Sequence, residues 1–188
     1  DLLGFTDQYF QTMEFWDDDF SLRARRAGYQ QVLCRDVFCH HYGSVTGGEA
    51  QAKENTLQKG RALFVRKHGV DPWENGAYYD YPLCTRLQGM QLRAGEREAI
   101  LGIDCGFGDT LLQMQNLLRR NGTPSSIDTV TMQGEYERDL KGISRTCLTA
   151  KDERGVLDCL CEGLLGRQYG LIYVLRPLEQ YENWKGLL

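Results

Sequence analysis

In the second half of the chain, short apolar runs typical of strands alternate with segments whose apolar residues recur at helical spacing. The apolar run Ala99–Ile103 has the length of a strand, and DTLLQMQNLLRRNG after it repeats apolar residues at helical spacing. IDTVTM, SRTCLTA and YGLIYVLRPL are further strand candidates, separated by the helical patterns GEYERDLKGI and GVLDCLCEGLLG. This alternation is typical of a parallel sheet covered by helices, so the pattern predicts an α/β fold.

The first part of the chain predicts a helix, an extended stretch and a second helix. DDDFSLRARRAG has an acidic start, a basic last turn and a final glycine, the order that the helix dipole favours. QQVLCRDVFCHHYG predicts short strands, and Glu49–His68 an amphipathic helix. GVDPWENGAYYDYP is rich in Gly, Pro and aromatic residues and breaks regular structure. We therefore predict a domain over 1–75, a linker over 76–95 and a second domain over 96–188.

Composition and charge limit the partners of this chain. Its 188 residues are 41% hydrophobic and 26% charged, as in globular proteins, and its net charge of -4 argues against binding to nucleic acid or to anionic membranes. The sequence has no transmembrane run and does not start like a signal peptide, so we expect a soluble, cytoplasmic protein with a small ligand. Seven cysteines without repeated C-x-x-C spacing favour buried free thiols over zinc or disulfides.

A succession of short motifs runs through residues 4–44. It comprises Gly4-Phe5, Asp17, Asp19, Leu22-Arg23, Gly28-Tyr29 and His40-His41-Tyr42-Gly43-Ser44. In this order the motifs resemble the end of the catalytic domain of family-two glycosyltransferases, which have the GT-A fold. NTLQKGRALFVRKHG is also similar to that family, with His68 where Trp is usual. The resemblance implies inverting transfer from a nucleotide-sugar donor to a glycan acceptor. It also implies that the nucleotide-binding half precedes Asp1, so we expect this chain to be inactive alone.

The resemblance assigns roles to the acidic cluster. Asp17 takes the position of the catalytic base, which removes a proton from the acceptor hydroxyl as that hydroxyl attacks the anomeric carbon. Trp16 stands where the family usually has Glu. Asp18, Asp19 and Arg23 are assigned to the acceptor side as supporting residues, and Asp19 is expected to cap the helix through backbone N–H groups. The alternative is that all three aspartates form only a helix cap and solvated charge.

The histidine pair is the candidate metal ligand. His41 matches the position at which some members of the GT-A fold bind a divalent metal, Mg²⁺ or Mn²⁺, that neutralises the leaving diphosphate. His40 is the alternative ligand, and a structural histidine is the competing interpretation. Since one imidazole cannot hold the ion, the resemblance places the partner aspartates before Asp1.

The strand, glycine-rich turn and helix in AILGIDCGFGDTLLQMQNLL resemble motif I of S-adenosylmethionine-dependent methyltransferases. Asp104, Gly106 and Gly108 are in register, and Thr110 replaces the final glycine. Such glycines let the backbone approach the ligand. The resemblance implies S-adenosylmethionine as the cofactor, with Glu135 after the second strand holding the ribose hydroxyls.

The last part of the chain extends this second resemblance. YGLIYVLRPLEQYENWKGLL is similar to the same family, with Leu178-Glu179 and Trp184 retained and Gln180 in place of His. Because 96–188 is short for that family's sheet, a degenerate Rossmann-like fold that has lost its cofactor is an alternative. Three functions stay open: a glycosyltransferase piece fused to this domain, a methyltransferase, or an interaction module that binds a partner or forms a homo-oligomer.

Overall fold

The computed structural model divides the chain into two compact units, Asp1–Asp71 and Pro72–Leu188, and each is described by itself. The structure describes residues 3–4, 10, 14–32, 34, 36–42, 48, 54–76, 80–88, 98–183 and 185. Of the family motif residues, Phe5, Gly43, Ser44 and Trp184 lie outside these ranges. Within the described ranges, no helix combines the length and the apolar character that crossing a membrane requires.

The first unit contains two long helices among its described residues, α1 (Trp16–Arg26) and α2 (Thr56–His68). Helix α1 confirms the first predicted helix, with its acidic residues in the first turn and its basic residues in the last. Gly28, directly beyond α1, has φ 86°, a left-handed conformation that glycine adopts without strain. The pattern of charges and the glycine therefore set both ends of α1.

The two helices of this unit meet around a small aromatic core. The rings of Phe15 and Phe64 lie 5.8 Å apart, and both side chains are buried. Gly60 of α2 faces the chain just before α1, where a Cβ would overlap the backbone carbonyl of Glu14. Thr56 Oγ1 donates to Glu14 Oε1 at 3.2 Å. Close approach of α2 to the start of α1 thus depends on the absence of a side chain at Gly60.

The predicted short strands after α1 are wrong for the residues that the structure describes. None of the described residues between Tyr29 and Tyr42 is in a strand, and Val32, Val37 and Phe38 are exposed. Strand propensity reflects packing on a half-buried sheet surface, and the described residues of this unit provide no such surface for these side chains. The cysteine prediction also fails in part, because Cys84 and Cys105 are buried whereas Cys34, Cys39 and Cys161 are exposed.

The second unit is an α/β domain with a four-stranded parallel sheet, as predicted. Its elements are α3 (Tyr81–Gln88), β1 (Glu98–Ile103), α4 (Asp109–Arg120), β2 (Ser125–Thr131), α5 (Glu137–Lys141), β3 (Thr146–Thr149), α6 (Glu153–Asp158) and β4 (Leu171–Val174). The strand order is β3-β2-β1-β4, and all three pairs are parallel. Helix α3 lies in the range predicted as a linker, and its residues Cys84 and Leu87 are buried.

Helices cover both faces of this sheet. Successive strand residues point to opposite faces. Gly102 of β1 faces α4, since a Cβ there would overlap Leu111, whereas Leu101 and Ile103 join Val156 in a core cluster on the other face. The strand order is Rossmann-like and reverses between β1 and β4. In such sheets, the carboxyl ends of the strands at this reversal are the usual ligand site.

Candidate functional site

The three adjacent aspartates of α1 lie in different environments. Asp17 and Asp18 are exposed in the first turn of the helix, whereas Asp19 is fully buried. Partial burial of its carboxyl and the neighbouring charge of Asp17 raise the pKa of Asp18. Phe15, just before the helix, has φ 77° although it is not glycine. Residues other than glycine rarely adopt a positive φ, and such backbone outliers cluster at functional sites.

Asp19 is an anchor between helices and not a cap. The N-cap position is Phe15, without a side-chain hydrogen bond, so the predicted capping role of Asp19 is wrong. Its carboxylate accepts hydrogen bonds from Arg23 Nε at 2.8 Å and His68 Nε2 at 2.8 Å, and pairs with Lys67 Nζ at 2.7 Å. Burial alone would raise the pKa of Asp19, but the bonds from Lys67, His68 and Arg23 outweigh it and lower the pKa. The sequence-based interpretation missed Lys67 and His68 because they lie on the second helix.

His68 is held in one protonation state by its two neighbours. Its Nε2 faces the Asp19 carboxylate, and its Nδ1 lies 3.3 Å from Arg26 Nη1, which can only donate. We therefore assign the neutral tautomer with the proton on Nε2. Burial, together with the charges of Arg26 and Lys67, lowers the pKa of His68 despite the carboxylate. A neutral imidazole thus bridges α1 and α2.

Acidification is expected to destabilise the first unit in two steps. The unfolded state takes up a proton on His68 near pH 6.5, while the folded state resists it, so stability falls as the pH drops through this range. Asp19, whose folded pKa is also lowered, adds a second loss below about pH 4. Urea unfolding of the unit across pH checks this. In His68→Gln, which keeps a donor but cannot titrate, the first step is expected to flatten, and an unchanged profile would contradict the assignment.

His40 and His41 are both exposed, on the segment after α1. The ring of His40 lies 4.2 Å from that of Tyr42. No cluster of three His, Cys, Asp or Glu side chains that could hold a metal occurs among the described residues. The resemblance implies that the other ligands are aspartates outside this segment, so the metal-ligand role of His41, with His40 as the alternative, stays a prediction.

Asp104 lies at the carboxyl end of β1, where the second resemblance places a cofactor contact. It is buried and has φ 46°, a left-handed conformation. Its Oδ1 accepts hydrogen bonds from Met132 N at 2.7 Å and from Thr131 Oγ1 at 3.4 Å. Its Oδ2 accepts one from the Tyr181 hydroxyl at 2.7 Å. Both carboxylate oxygens are thus engaged by the protein itself.

The segment after β4 covers this edge of the sheet. Tyr181 is buried, and the guanidinium of Arg176 lies 4.7 Å from the centre of its ring. Glu182 N donates to Glu153 Oε2 at 2.7 Å, which ties the segment to α6. Burial and the bond to Asp104 raise the pKa of Tyr181, so its hydroxyl stays a donor. The chain's own C-terminal part therefore lies where the strand order reverses.

The glycine-rich loop is packed against the rest of this unit. Gly106 and Gly108 have φ 54° and 78°, and a Cβ on Gly108 would overlap Ile143. Burial raises the pKa of Cys105 to about 12, so its thiol stays protonated. Glu135 is exposed in the turn after β2, and its role stays a prediction. The engaged carboxylate and this packing do not fit an S-adenosylmethionine site, so no step is derived through that cofactor.

A second buried carboxylate, Asp128 of β2, was not identified as a functional candidate from the sequence. Its Oδ1 accepts from Arg145 Nε at 3.1 Å, and its Oδ2 accepts from Arg145 Nη2 and from the Tyr169 hydroxyl at 3.0 Å. Arg167 Nη1 lies 2.9 Å from Oδ2. Burial would raise the pKa of Asp128, but the bonds from Arg145, Arg167 and Tyr169 lower it. An aspartate inside an apolar strand was the available signal, since a buried charge needs partners.

Arg145 and Arg167 also line a cleft at the amino end of the same sheet. The cleft has a volume of about 480 Å³ and is lined by Ala99, Pro124, Ser125, Ser126, Arg145, Arg167 and Gln168. These residues come from the starts of β1 and β2 and from the segments that precede β3 and β4. Asp104 ends β1, at the opposite edge. Comparison of the chain with models of protein families, with curated proteins and with solved structures gives no match.

Proposed function

We propose that residues 1–71 form the acceptor side of a nucleotide-sugar-dependent glycosyltransferase in which Asp17 is the catalytic base. One observation carries the proposal: of the adjacent aspartates, Asp17 is exposed at the helix start while Asp19 is buried and anchored. If the three aspartates formed only a helix cap and solvated charge, we would expect all three to be exposed. The buried Asp19 instead favours an anchored helix that presents the carboxylates of Asp17 and Asp18, and the resemblance assigns the base to Asp17.

The surroundings of Asp17 suit a general base. A base must be ionised and held within hydrogen-bond reach of the hydroxyl that it deprotonates. The anchor at Asp19 and the left-handed backbone at Phe15 fix how this turn is placed. Precise placement of a catalytic group is itself a large part of rate acceleration.

The proposed step is a direct displacement. The acceptor hydroxyl transfers its proton to the Asp17 carboxylate while its oxygen forms a bond to the anomeric carbon of the donor. The bond from that carbon to the donor phosphate breaks, and the electron pair leaves with the nucleoside diphosphate. This step also requires the nucleotide-binding half that the resemblance implies. Catalysis is therefore proposed for a protein that contains both halves.

For the second unit, we propose a scaffold that holds no cofactor at the carboxyl end of its sheet. The support is the engagement of Asp104 by Met132 and Tyr181, which leaves neither carboxylate oxygen open. No described contact favours a methyltransferase over this role. We also propose a cytoplasmic location and a homo-oligomer.

In a protein that includes the nucleotide-binding half, Asp17→Asn is expected to lower kcat for transfer about a hundredfold, since general base catalysis contributes at least that much. Asn keeps the size of the side chain but cannot accept the proton. The assay measures release of nucleoside diphosphate and labelled glycan from a panel of UDP-, GDP- and dTDP-sugars. Asp36→Asn, which makes the same charge change at an exposed position outside α1, is the matched control and should retain activity. Full transfer by Asp17→Asn would refute the base assignment.

A further inference from the structure

We propose that the cleft at the amino end of the sheet in the second unit binds a small molecule through its phosphate group. This site lies at the opposite edge of the sheet from Asp104 and is independent of the glycosyltransferase proposal. Its walls bring together four segments that are distant in sequence. Its volume of about 480 Å³ falls in the range of small-molecule sites.

Two guanidinium groups of the cleft are oriented by one buried carboxylate. Arg145 uses Nε and Nη2 for Asp128, so its Nη1 is not engaged by any residue in the described part of the chain. Arg167 Nη1 lies 2.9 Å from Asp128 Oδ2 and donates to Thr146 Oγ1 at 2.8 Å. The guanidinium is a rigid fork of donors that matches phosphate oxygens. Orientation by Asp128 therefore fixes these donors before a ligand arrives.

The net charge of Asp128, Arg145 and Arg167 together favours binding of an anion. One carboxylate faces two guanidinium groups, and the Tyr169 hydroxyl, whose pKa burial and the bond to Asp128 raise to about 12, stays uncharged. Asp128 is fully buried, while the side chains of Arg145 and Arg167 are 50% and 32% exposed. The excess positive charge thus lies on the side that reaches the cleft.

Uncharged residues of the cleft add a second, independent indication. The Ser125 hydroxyl is buried and has no hydrogen-bond partner among the described residues. A buried polar atom without a partner is costly, and a ligand is one way to satisfy it. Gln168 contributes an amide, and Ala99 and Pro124 contribute apolar surface. This mixture fits a phosphate group joined to an organic remainder better than it fits a bare ion.

The test titrates the 188-residue chain with inorganic phosphate and with ribose 5-phosphate, followed by amide resonances and by calorimetry. Both probes are expected to bind saturably and to shift the resonances of Ser125, Ser126 and Gln168, with ribose 5-phosphate the tighter of the two. Gln168→Glu places a carboxylate beside the two arginines and should weaken binding of both probes about tenfold, the equivalent of one charged hydrogen bond.

Gln113→Glu is the matched control, because it makes the same charge change on α4, away from the cleft. It should leave both affinities unchanged. Gln168 is exposed, so Gln168→Glu is expected to melt at the same temperature as the wild type, which separates loss of binding from loss of folding. The proposal is overturned if neither probe shifts the cleft resonances, or if inorganic phosphate binds and ribose 5-phosphate does not. It is also overturned if Gln168→Glu binds the two probes as tightly as Gln113→Glu does.

Discussion

Replacing Asp104 with alanine is expected to lower the free energy of unfolding of the second unit by about 4 kcal/mol, because two buried donors lose their acceptor at an estimated 1–3 kcal/mol each. These donors are Met132 N and the Tyr181 hydroxyl, each 2.7 Å from the carboxylate. Alanine also tolerates the left-handed backbone at this position less well than aspartate. Hydrogen exchange of the β1 and β2 amides measures the change.

Two further variants make this prediction specific. Asp158→Ala removes an exposed carboxylate at the end of α6 and should change stability by less than about 0.5 kcal/mol. Tyr181→Phe removes one donor, so the double variant with Asp104→Ala should cost less than the sum of the single variants. Additive effects would mean that the contact between the C-terminal segment and β1 contributes no coupling energy.

Asp19→Ala is expected to destabilise the first unit by about 3 kcal/mol, at the lower end of the range for breaking a buried ion pair. The loss leaves His68, which is 6% exposed, without its acceptor and brings Arg23 and Lys67 together uncompensated. The lower end applies because Arg23 and Lys67 are 20% and 32% exposed, so water partly solvates their charges. A urea titration followed through the amide resonances of α2 gives the value.

Asp18→Ala is the control for this substitution, since it removes an adjacent but exposed carboxylate from the same turn. Its effect should stay within about 0.5 kcal/mol. Equal destabilisation by the two substitutions would show that charge in the first turn, and not the contact with α2, stabilises the unit. The comparison also explains why transfer should be tested with Asp17 variants: a variant of Asp19 would lose activity by unfolding the helix.

Local patterns predict most of the second unit. The apolar run at Ala99–Ile103, the helical spacing after Asp109 and the later strand patterns each correspond to one observed element. Their order along the chain is enough for a parallel sheet, because parallel strands require crossover connections. In the first unit, the acidic first turn and basic last turn predict α1, because the interaction of these charges with the helix dipole involves only residues that are close in sequence.

Contacts between distant segments could not be predicted in this way. Asp17 and Asp19 lie about 200° apart around α1. Which of these two faces is buried depends on contacts with α2, such as the bond between Asp19 and His68, that the sequence pattern does not show. Asp128 and its partner Arg167 likewise come together only when the sheet has formed. Val32 and Phe38 have strand-like patterns, but their propensity is not realised in the described part of the unit.

The position of β1 has a consequence for how the second unit is synthesised. This strand pairs with β2 on one side and with β4 on the other, and Asp104 at its end contacts a residue 77 positions later. On the ribosome, one edge of β1 therefore stays unpaired until β4 has emerged. Unpaired strand edges are prone to wrong association during this interval. Slower translation through the segment between β3 and β4 would lengthen this interval.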